Sequence, residues 1–135
     1  MRLLIDANVV LDVLQKREEH WKDSSLVWKL CETEKAEGCV SALTFANLTY
    51  VMRKELSAEQ IHEVLKKLQL IFHFADLSTA DMEKATEMKW DDYEDAIQAA
   101  TAERIAADFI VTRNVRDFKQ SKVFALTPGE LLARI

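Results

Sequence analysis

The sequence predicts an α/β fold of three layers, in which helices cover both faces of a mostly parallel central sheet. Short apolar runs without helical spacing alternate along the chain with longer segments whose apolar residues recur every three or four positions. Only two glycines and one proline occur in 135 residues, which favours a chain rich in regular structure. No linker, repeat or low-complexity segment interrupts the pattern, so we expect a single domain over residues 1–135.

The elements follow from these patterns and from local start and stop signals. Ser57 and Gln60 have the spacing of a capping box, Ser78 and Thr127 are candidate helix caps, and Gly38 is a candidate stop for the helix before it. The predicted strands cover 2–5, 39–42, 70–77, 109–112 and 123–126. The predicted helices cover 8–14, 21–35, 44–54, 57–68, 79–88, 92–107 and a last segment from 127.

Composition excludes several classes of function. The net charge of −5 rules out a uniformly basic coat for nucleic acid, so any phosphate binding is local. Cys31 and Cys39 lack the spacing of a zinc finger or a disulfide framework, and the scarce glycines exclude glycine-rich phosphate loops. The N-terminal apolar run is too short for a signal peptide and no run has membrane-spanning length, so we expect a cytoplasmic protein with no membrane partner.

Acidic residues are predicted to meet at one edge of the sheet. Asp6 follows the first strand, Asp117 follows the fourth, and Asp95 lies near the start of the helix that leads into the fourth strand, with Asp92 three residues earlier. Two carboxylates about 4 Å apart repel by about 4 kcal/mol at an effective dielectric constant of about 20, so converging acids need a cation. Oxygen ligands of this kind favour Mg²⁺ or Mn²⁺.

Each of these residues also has an ordinary structural role open to it. Asp6 could cap the helix that follows it, Asp95 could be a first-turn acid favoured by the helix dipole, and Asp117 could be a turn residue. Thr112 and Asn114 could hold that turn through side-chain hydrogen bonds. Five other acids are interpreted as solvated or capping residues, and they are Asp12, Asp23, Asp76, Asp81 and Asp108. The tryptophans are interpreted as packing residues, and they are Trp21, Trp28 and Trp90.

Three segments, LLIDANVVLDVL, SALTFANLTYVMRK and DYEDAIQAATAERIAADFIVTRNVRDF, resemble the PIN-domain family, and more narrowly its VapC-like toxins. The resemblance spans nearly the whole chain. It implies an α/β/α sandwich and an endoribonuclease that depends on Mg²⁺ or Mn²⁺, acting as the toxin of a type II toxin–antitoxin pair. It also implies an RNA substrate, a cognate antitoxin and a homodimer.

The resemblance assigns roles to individual residues. Asp6, Asp95 and Asp117 match the acids of the metal site, and the matching polar supports are Asn8, Thr112 and Asn114. The family usually places a glutamate on the helix after the second strand, where this chain has Asn47. We hypothesise that Asp92 supplies the missing charge. The departure leaves open an alternative function, that of a degenerate PIN fold that binds RNA or protein without cutting.

The expected reaction is hydrolysis by water, because no His, Ser or Cys nucleophile lies at a recognisable spacing. Basic residues around Asp117 are the candidates for phosphate contacts, and they are Arg113, Arg116, Lys119 and Lys122, with Arg53 and Lys54 in addition. A dehalogenase-type phosphatase would need an acid where Asn8 stands. A receiver domain would need a phosphate-accepting acid after a middle strand, and none is placed there.

Overall fold

A computed structural model describes all residues from 1 to 135. It contains five strands in one sheet, seven α-helices and a 3₁₀ turn at Val115–Phe118. The strands are β1 (Arg2–Ile5), β2 (Glu37–Ser41), β3 (His73–Ala75), β4 (Phe109–Val111) and β5 (Phe124–Leu126). The helices are α1 (Ala7–Leu14), α2 (Trp21–Glu32), α3 (Ala42–Met52), α4 (Ala58–Ile71), α5 (Thr79–Met88), α6 (Tyr93–Arg104) and α7 (Pro128–Ala133). None of these helices is long and apolar enough to cross a membrane.

All strand pairs are parallel, and the order across the sheet is β3-β2-β1-β4-β5. The first strand is therefore central, with Leu4 paired to Cys39 on one side and to Ile110 on the other. Parallel strands end at the same edge of a sheet, so the residues that follow β1, β2 and β4 are brought together there. The predicted α/β fold with a parallel sheet is confirmed.

Alternating side chains of β1 feed cores on opposite faces of the sheet. Leu3 and Ile5 pack with α1, α2, α3, α4 and α7 in a cluster of 17 buried residues. Leu4 packs on the other face with Ala99 and Ala102 of α6 and with Phe118 of the 3₁₀ turn. Because the apolar residues of β1 serve both faces, this strand reads as a continuous hydrophobic run. The three-layer arrangement follows directly.

Several predicted caps are confirmed, and several predicted boundaries are wrong. Ser57 and Gln60 form the capping box of α4, while Ser78 and Thr127 cap α5 and α7. Gly38 does not stop a helix, because α2 already ends at Glu32 and Gly38 lies inside β2. The strand predicted over 70–77 shrinks to three residues, because the helix before it runs on to residue 71, and the helix predicted to reach residue 107 ends at residue 104.

The interpretation of Asp12 as a solvated acid is wrong. Its side chain is fully buried on α1, where it accepts a hydrogen bond from the Ser24 hydroxyl of α2 at 3.0 Å. It also forms ion pairs with Arg113 at 3.1 Å and Arg17 at 3.6 Å. This one carboxylate therefore joins two helices to the segment that leaves β4. The sequence could not show that Asp12 is buried, because its partners Ser24 and Arg113 are remote from it along the chain.

Asp81 is buried as well, against the same expectation. It lies in the first turn of α5 and accepts hydrogen bonds from the Thr101 hydroxyl at 3.2 Å and from Nε of Arg104 at 2.9 Å. Arg104 also donates to the carbonyl oxygen of Asp76 at 2.7 Å. These contacts fix α5 against α6, the helix that carries Asp95.

Replacing Gly38 by alanine is expected to destabilise the fold by about 1–3 kcal/mol. A Cβ atom at this position would lie 2.4 Å from the Cys31 sulfur and 3.0 Å from a ring carbon of Phe72, and both side chains are buried. Urea unfolding measures the change. Gly129→Ala is the matched control, because its Cβ atom would meet only the flexible end of the Asp23 side chain at 3.1 Å. Equal stability of the two variants would contradict the prediction.

Removing the charge of Asp12 is expected to cost about 3 kcal/mol in the variant Asp12→Asn, because two guanidinium groups lose their buried counter-charge. Adding Arg113→Gln to this variant should cost less than the sum of the single changes, since it removes one unpaired charge. Chemical unfolding of the two single variants and the double variant gives the coupling energy. Asp23→Asn, at an exposed position on α2, is the control. Additive costs would show that the ion pair does not hold.

Candidate active site

Asp6 ends the central strand and is held by a set of hydrogen bonds. One carboxylate oxygen accepts from the backbone N–H of Ala7 at 2.8 Å, which caps α1. The other accepts from the Thr112 hydroxyl at 2.8 Å and from the Asn8 amide at 3.2 Å. The capping role and the site role considered for Asp6 are therefore compatible, since the capping bond occupies only one of its two oxygens.

The sheet itself sets this geometry. The backbone N–H of Asp6 donates to the carbonyl of Val111, and that of Thr112 donates to the carbonyl of Leu126, each at 2.9 Å. The residues just after β1 and β4 thus stay in the ladder. Asn8 completes the link, because its amide oxygen accepts from the backbone N–H of Arg113 at 3.1 Å. Asn8 and Thr112, both predicted as supports, lie directly beside Asp6.

Gln98 is a neighbour of Asp6 that the sequence analysis missed. Its side chain is 5% exposed, its amide nitrogen donates to the Thr44 hydroxyl at 2.8 Å, and its amide oxygen has no partner in the protein. Burial raises the pKa of Asp6, and the nearby Gln98 amide is one of the groups that oppose this rise. The signal was present in the sequence, since Gln98 interrupts an alanine-rich helix three residues after Asp95.

The start of α6 brings further acids to the same edge. Asp92 caps the helix by accepting from the backbone N–H of Asp95 at 3.0 Å. Partial burial raises the pKa of Asp95 to about 7, and the charges of Asp92, Asp6, Asp117 and Glu94 add to the effect. The negative charges of the other predicted acids therefore reach Asp95 and disfavour its ionised form. A carboxyl with this pKa marks a place where negative charge is incompletely compensated.

Asp117 enters from the 3₁₀ turn after β4. It is exposed and lines a groove of about 410 Å³ together with Asp92, Asp95, Arg116 and Lys119. This acid groove, as we call it, holds carboxylates and cations but no histidine, serine or cysteine. Its walls therefore offer no hydroxyl, thiol or imidazole nucleophile.

The donor set of the acid groove suits a hard divalent cation. All its acidic donors are carboxylate oxygens, the ligands that Mg²⁺ and Mn²⁺ prefer, and their mutual repulsion adds to the effect of burial in raising the pKa of Asp95. No three His, Cys, Asp or Glu side chains are nevertheless arranged as a ready ligand set. The residues fit such an ion in kind and charge, while Asp6 remains bound to its own hydrogen-bond donors.

Asn47, in place of the expected glutamate, contacts an acid that the sequence analysis did not single out. Its amide nitrogen donates to a carboxylate oxygen of Glu94 at 3.4 Å. Glu94 lies next to Asp95 in the first turn of α6 and adds to the charge around it. Two carboxylates are thus candidates for the charge that α3 lacks, namely Asp92, as hypothesised, and Glu94.

Several predicted residues do not line the acid groove, namely Asp6, Asn8, Asn47 and Thr112, described above, and Arg113, Asn114 and Lys122. Arg113 is ion-paired with Asp12 at 3.1 Å and is only 27% exposed, and Asn114 lies beside it at a different surface depression. Lys122 is 78% exposed and lies 3.7 Å from Glu103 at the end of α6. Of the six basic residues considered for RNA contacts, Arg116 and Lys119 are those that line the groove.

The chain was compared with known families and structures. The profile of the PIN domain family matches residues 2–116. A search of curated proteins found no match. Among solved structures, VapBC2 from Rickettsia felis, bound to a DNA fragment from its promoter, is similar with a TM-score of 0.74 and 18% identity, covering 94% of this chain and 98% of that one.

Two further structures have the same fold. A toxin–antitoxin complex from Klebsiella pneumoniae gives a TM-score of 0.71 at 20% identity, covering 93% of this chain and 97% of that one. VapC20 from Mycobacterium tuberculosis, described as a toxin that cleaves the sarcin–ricin loop, gives 0.63 at 11% identity, covering 80% and 86%. At these identities the likeness concerns the fold. Because the profile match extends over most of the sequence, the protein belongs to the PIN domain family.

Proposed function

We propose that this chain is an endoribonuclease that depends on Mg²⁺ or Mn²⁺, and that it is the toxin of a type II toxin–antitoxin pair. One observation carries the proposal. Acids from three separate segments meet at the edge of a PIN fold: burial first, and then the charges of Asp92, Asp6 and Asp117, raise the pKa of Asp95 to about 7. A purely structural arrangement would gain nothing from this repulsion.

Asp6, Asp95 and Asp117 would hold the ion, with Asp92 or Glu94 as a further source of charge. A bound divalent ion supplies Lewis acidity, which activates water and offsets charge on the phosphate. The protein contributes the fixed parts. Thr112 and Asn8 restrict the rotation of the Asp6 carboxylate, so its position is set before substrate arrives.

Water is the attacking group in this proposal, because the acid groove contains no hydroxyl, thiol or imidazole nucleophile. A carboxylate of the site would accept the proton of that water. Displacement at phosphorus with the leaving oxygen opposite the water would leave a 5′-phosphate and a 3′-hydroxyl end, as the family resemblance implies.

The substrate backbone would be held by Arg116 and Lys119, which are exposed in the same groove as Asp95 and Asp117. Two cations beside the acids let a phosphate approach a surface of net negative charge. Arg113 has a different part in this proposal, because its guanidinium is bound to the buried Asp12. Lys122 remains a predicted RNA contact and Asn114 a predicted polar support, both outside the acid groove.

The proposed partner is a cognate antitoxin, since structures with this fold are toxin–antitoxin complexes. A groove lined by acids suits a cationic side chain of such a partner, which would neutralise the carboxylates in the place of the metal ion. We further propose a homodimer and a cytoplasmic site of action, both in keeping with the toxin role.

A second function stays under consideration because of two observations. Position 47 is a neutral amide, and no ready set of three ligands exists. A PIN fold with a weakened metal site could bind RNA or protein without cutting it. Metal-dependent cleavage separates this function from the proposed one.

Purified protein incubated with structured RNA and Mn²⁺ is expected to release fragments with 5′-phosphate ends, and a chelator should stop the reaction. Asp6→Asn and Asp95→Asn should each reduce the cleavage rate by about 100-fold or more, because each removes a proposed metal ligand. Glu63→Gln, which removes an exposed acid on α4 outside the groove, is the matched control. RNA that is bound but never cut by any metal-loaded protein would favour the non-catalytic function.

Stability without metal should depend on pH through Asp95. Its pKa rises from the ordinary 3.8 to about 7 on folding, so the folded state keeps a proton that the unfolded state releases. Stability is therefore expected to fall as pH rises from about 4 to about 7. Because Asp95 is partly exposed, we expect a loss of about 1–2 kcal/mol rather than the full value of the shift.

Urea unfolding in chelator at pH 5 to 8 measures this loss. Asp95→Asn should be more stable than the native chain at pH 8 and should lack most of the fall, while Mn²⁺ at pH 8 should restore stability to the native chain only. A native chain whose stability does not change between pH 5 and pH 8 would refute the proposed crowding of acids.

A further inference from the structure

Trp90 occupies a place that its interpretation as a packing residue does not explain. It lies between α5 and α6, it is only partly buried, and it is the one hydrophobic residue that lines the acid groove. Its indole N–H makes no hydrogen bond within the protein, yet it is not among the buried polar atoms that lack a partner. Part of the ring therefore faces the solvent of the groove.

The other side of the indole is fixed by the core. Trp90 packs against Phe118 in an edge-to-face arrangement, with ring centres 6.3 Å apart and ring planes at 71°. Phe118 is 2% exposed and belongs to the 3₁₀ turn that carries Asp117. Trp90 also contacts the small buried cluster formed by Ala85, Ala96 and Ile97. An aromatic ring held in this way has little conformational entropy to lose when a ligand stacks on it.

The charges around Trp90 identify the kind of ligand. Arg116 and Lys119 offer cations for phosphate groups in the same groove, and Asp95 and Asp117 stand nearby. Cationic side chains beside a partly exposed aromatic ring are the combination that binds single-stranded nucleic acid, where phosphates meet the cations and a base stacks on the ring. In a duplex the base faces are already stacked on their neighbours, so this ring would have no free base face to meet.

We propose that Trp90 is a stacking platform for one unpaired base of the substrate, next to the phosphate that is cut. The identity of the ligand as RNA rests on the proposed function, whereas the stacking site rests on the geometry of the groove. Trp90 determines where the chain places its substrate and takes no part in the chemistry.

Binding in chelator tests the site without cleavage. The probe is a fluorescein-labelled single-stranded RNA of ten nucleotides, together with a series in which each nucleotide in turn lacks its base. Native protein should lose affinity about tenfold for one or two members of the series. Trp90→Leu should bind the complete RNA about tenfold more weakly and should lose less than twofold more when the same bases are removed. A merely structural role would weaken every member of the series equally.

Two variants control the experiment. Trp21→Leu removes another exposed tryptophan, 46% exposed on α2 and outside the groove, and should bind like the native protein. Trp90→Phe keeps an aromatic ring and a core contact with Phe118, so it should fold and retain part of the base dependence. Thermal unfolding checks all variants.

The outcomes separate this inference from the proposed function. A native protein whose affinity is unchanged by removal of any base overturns the stacking site, even if Mn²⁺-dependent cleavage is observed. Base dependence that disappears in Trp90→Leu supports the site, even if no metal produces cleavage. Equal binding of a duplex of the same sequence would also overturn it.

Discussion

The hydrogen bond from the Thr112 hydroxyl to the Asp6 carboxylate is the contact on which the site depends. It joins the ends of β1 and β4, the two neighbouring strands whose following segments carry most of the predicted site residues. Asn8 strengthens the link, because it donates to Asp6 and accepts from the backbone of Arg113. A parallel sheet alone would bring the chain segments together but would leave the carboxylate free to rotate. With these donors in place, Asp6 is oriented by residues that directly follow β1 and β4. The integrity of the fold and the geometry of the site are therefore coupled.

The repulsion between the carboxylates of the acid groove destabilises the folded state, and interactions elsewhere in the fold must offset it. Asp95 shows this cost directly, since its pKa lies near 7 through burial and the repulsion of its neighbours. Two features reduce it. The acids Asp92 and Asp95 lie at the N-terminus of α6, where the helix dipole favours negative charge, and Asp81 binds Arg104 to hold that helix in place. The unrelieved part of the repulsion is what a cation, from a metal ion or from a partner protein, can neutralise.

Much of the fold could be predicted because it depends on patterns between residues that are close in sequence. The continuous apolar run of β1, the capping box at Ser57 and the cap at Thr127 depend on neighbours in sequence, and each is confirmed. Features that depend on remote partners could not be predicted. The burial of Asp12 depends on its contacts with Ser24 and Arg113. The role of Gln98 likewise depends on its position beside Asp6 and on its hydrogen bond to Thr44. The position of acids at a strand end is a matter of topology, whereas the burial of a polar group is a matter of tertiary packing.

The amide at position 47 shows how α3 and the start of α6 complement each other in charge. The Asn47 amide nitrogen lies 3.4 Å from a carboxylate oxygen of Glu94, and it donates a hydrogen bond there. A glutamate at position 47 would instead oppose Glu94 with a like charge, beside Asp92 and Asp95, which already crowd the start of α6. The neutral amide on α3 and the presence of three acids at the start of α6 therefore belong together physically. Of these two helices, only α6 contributes negative charge to this part of the site.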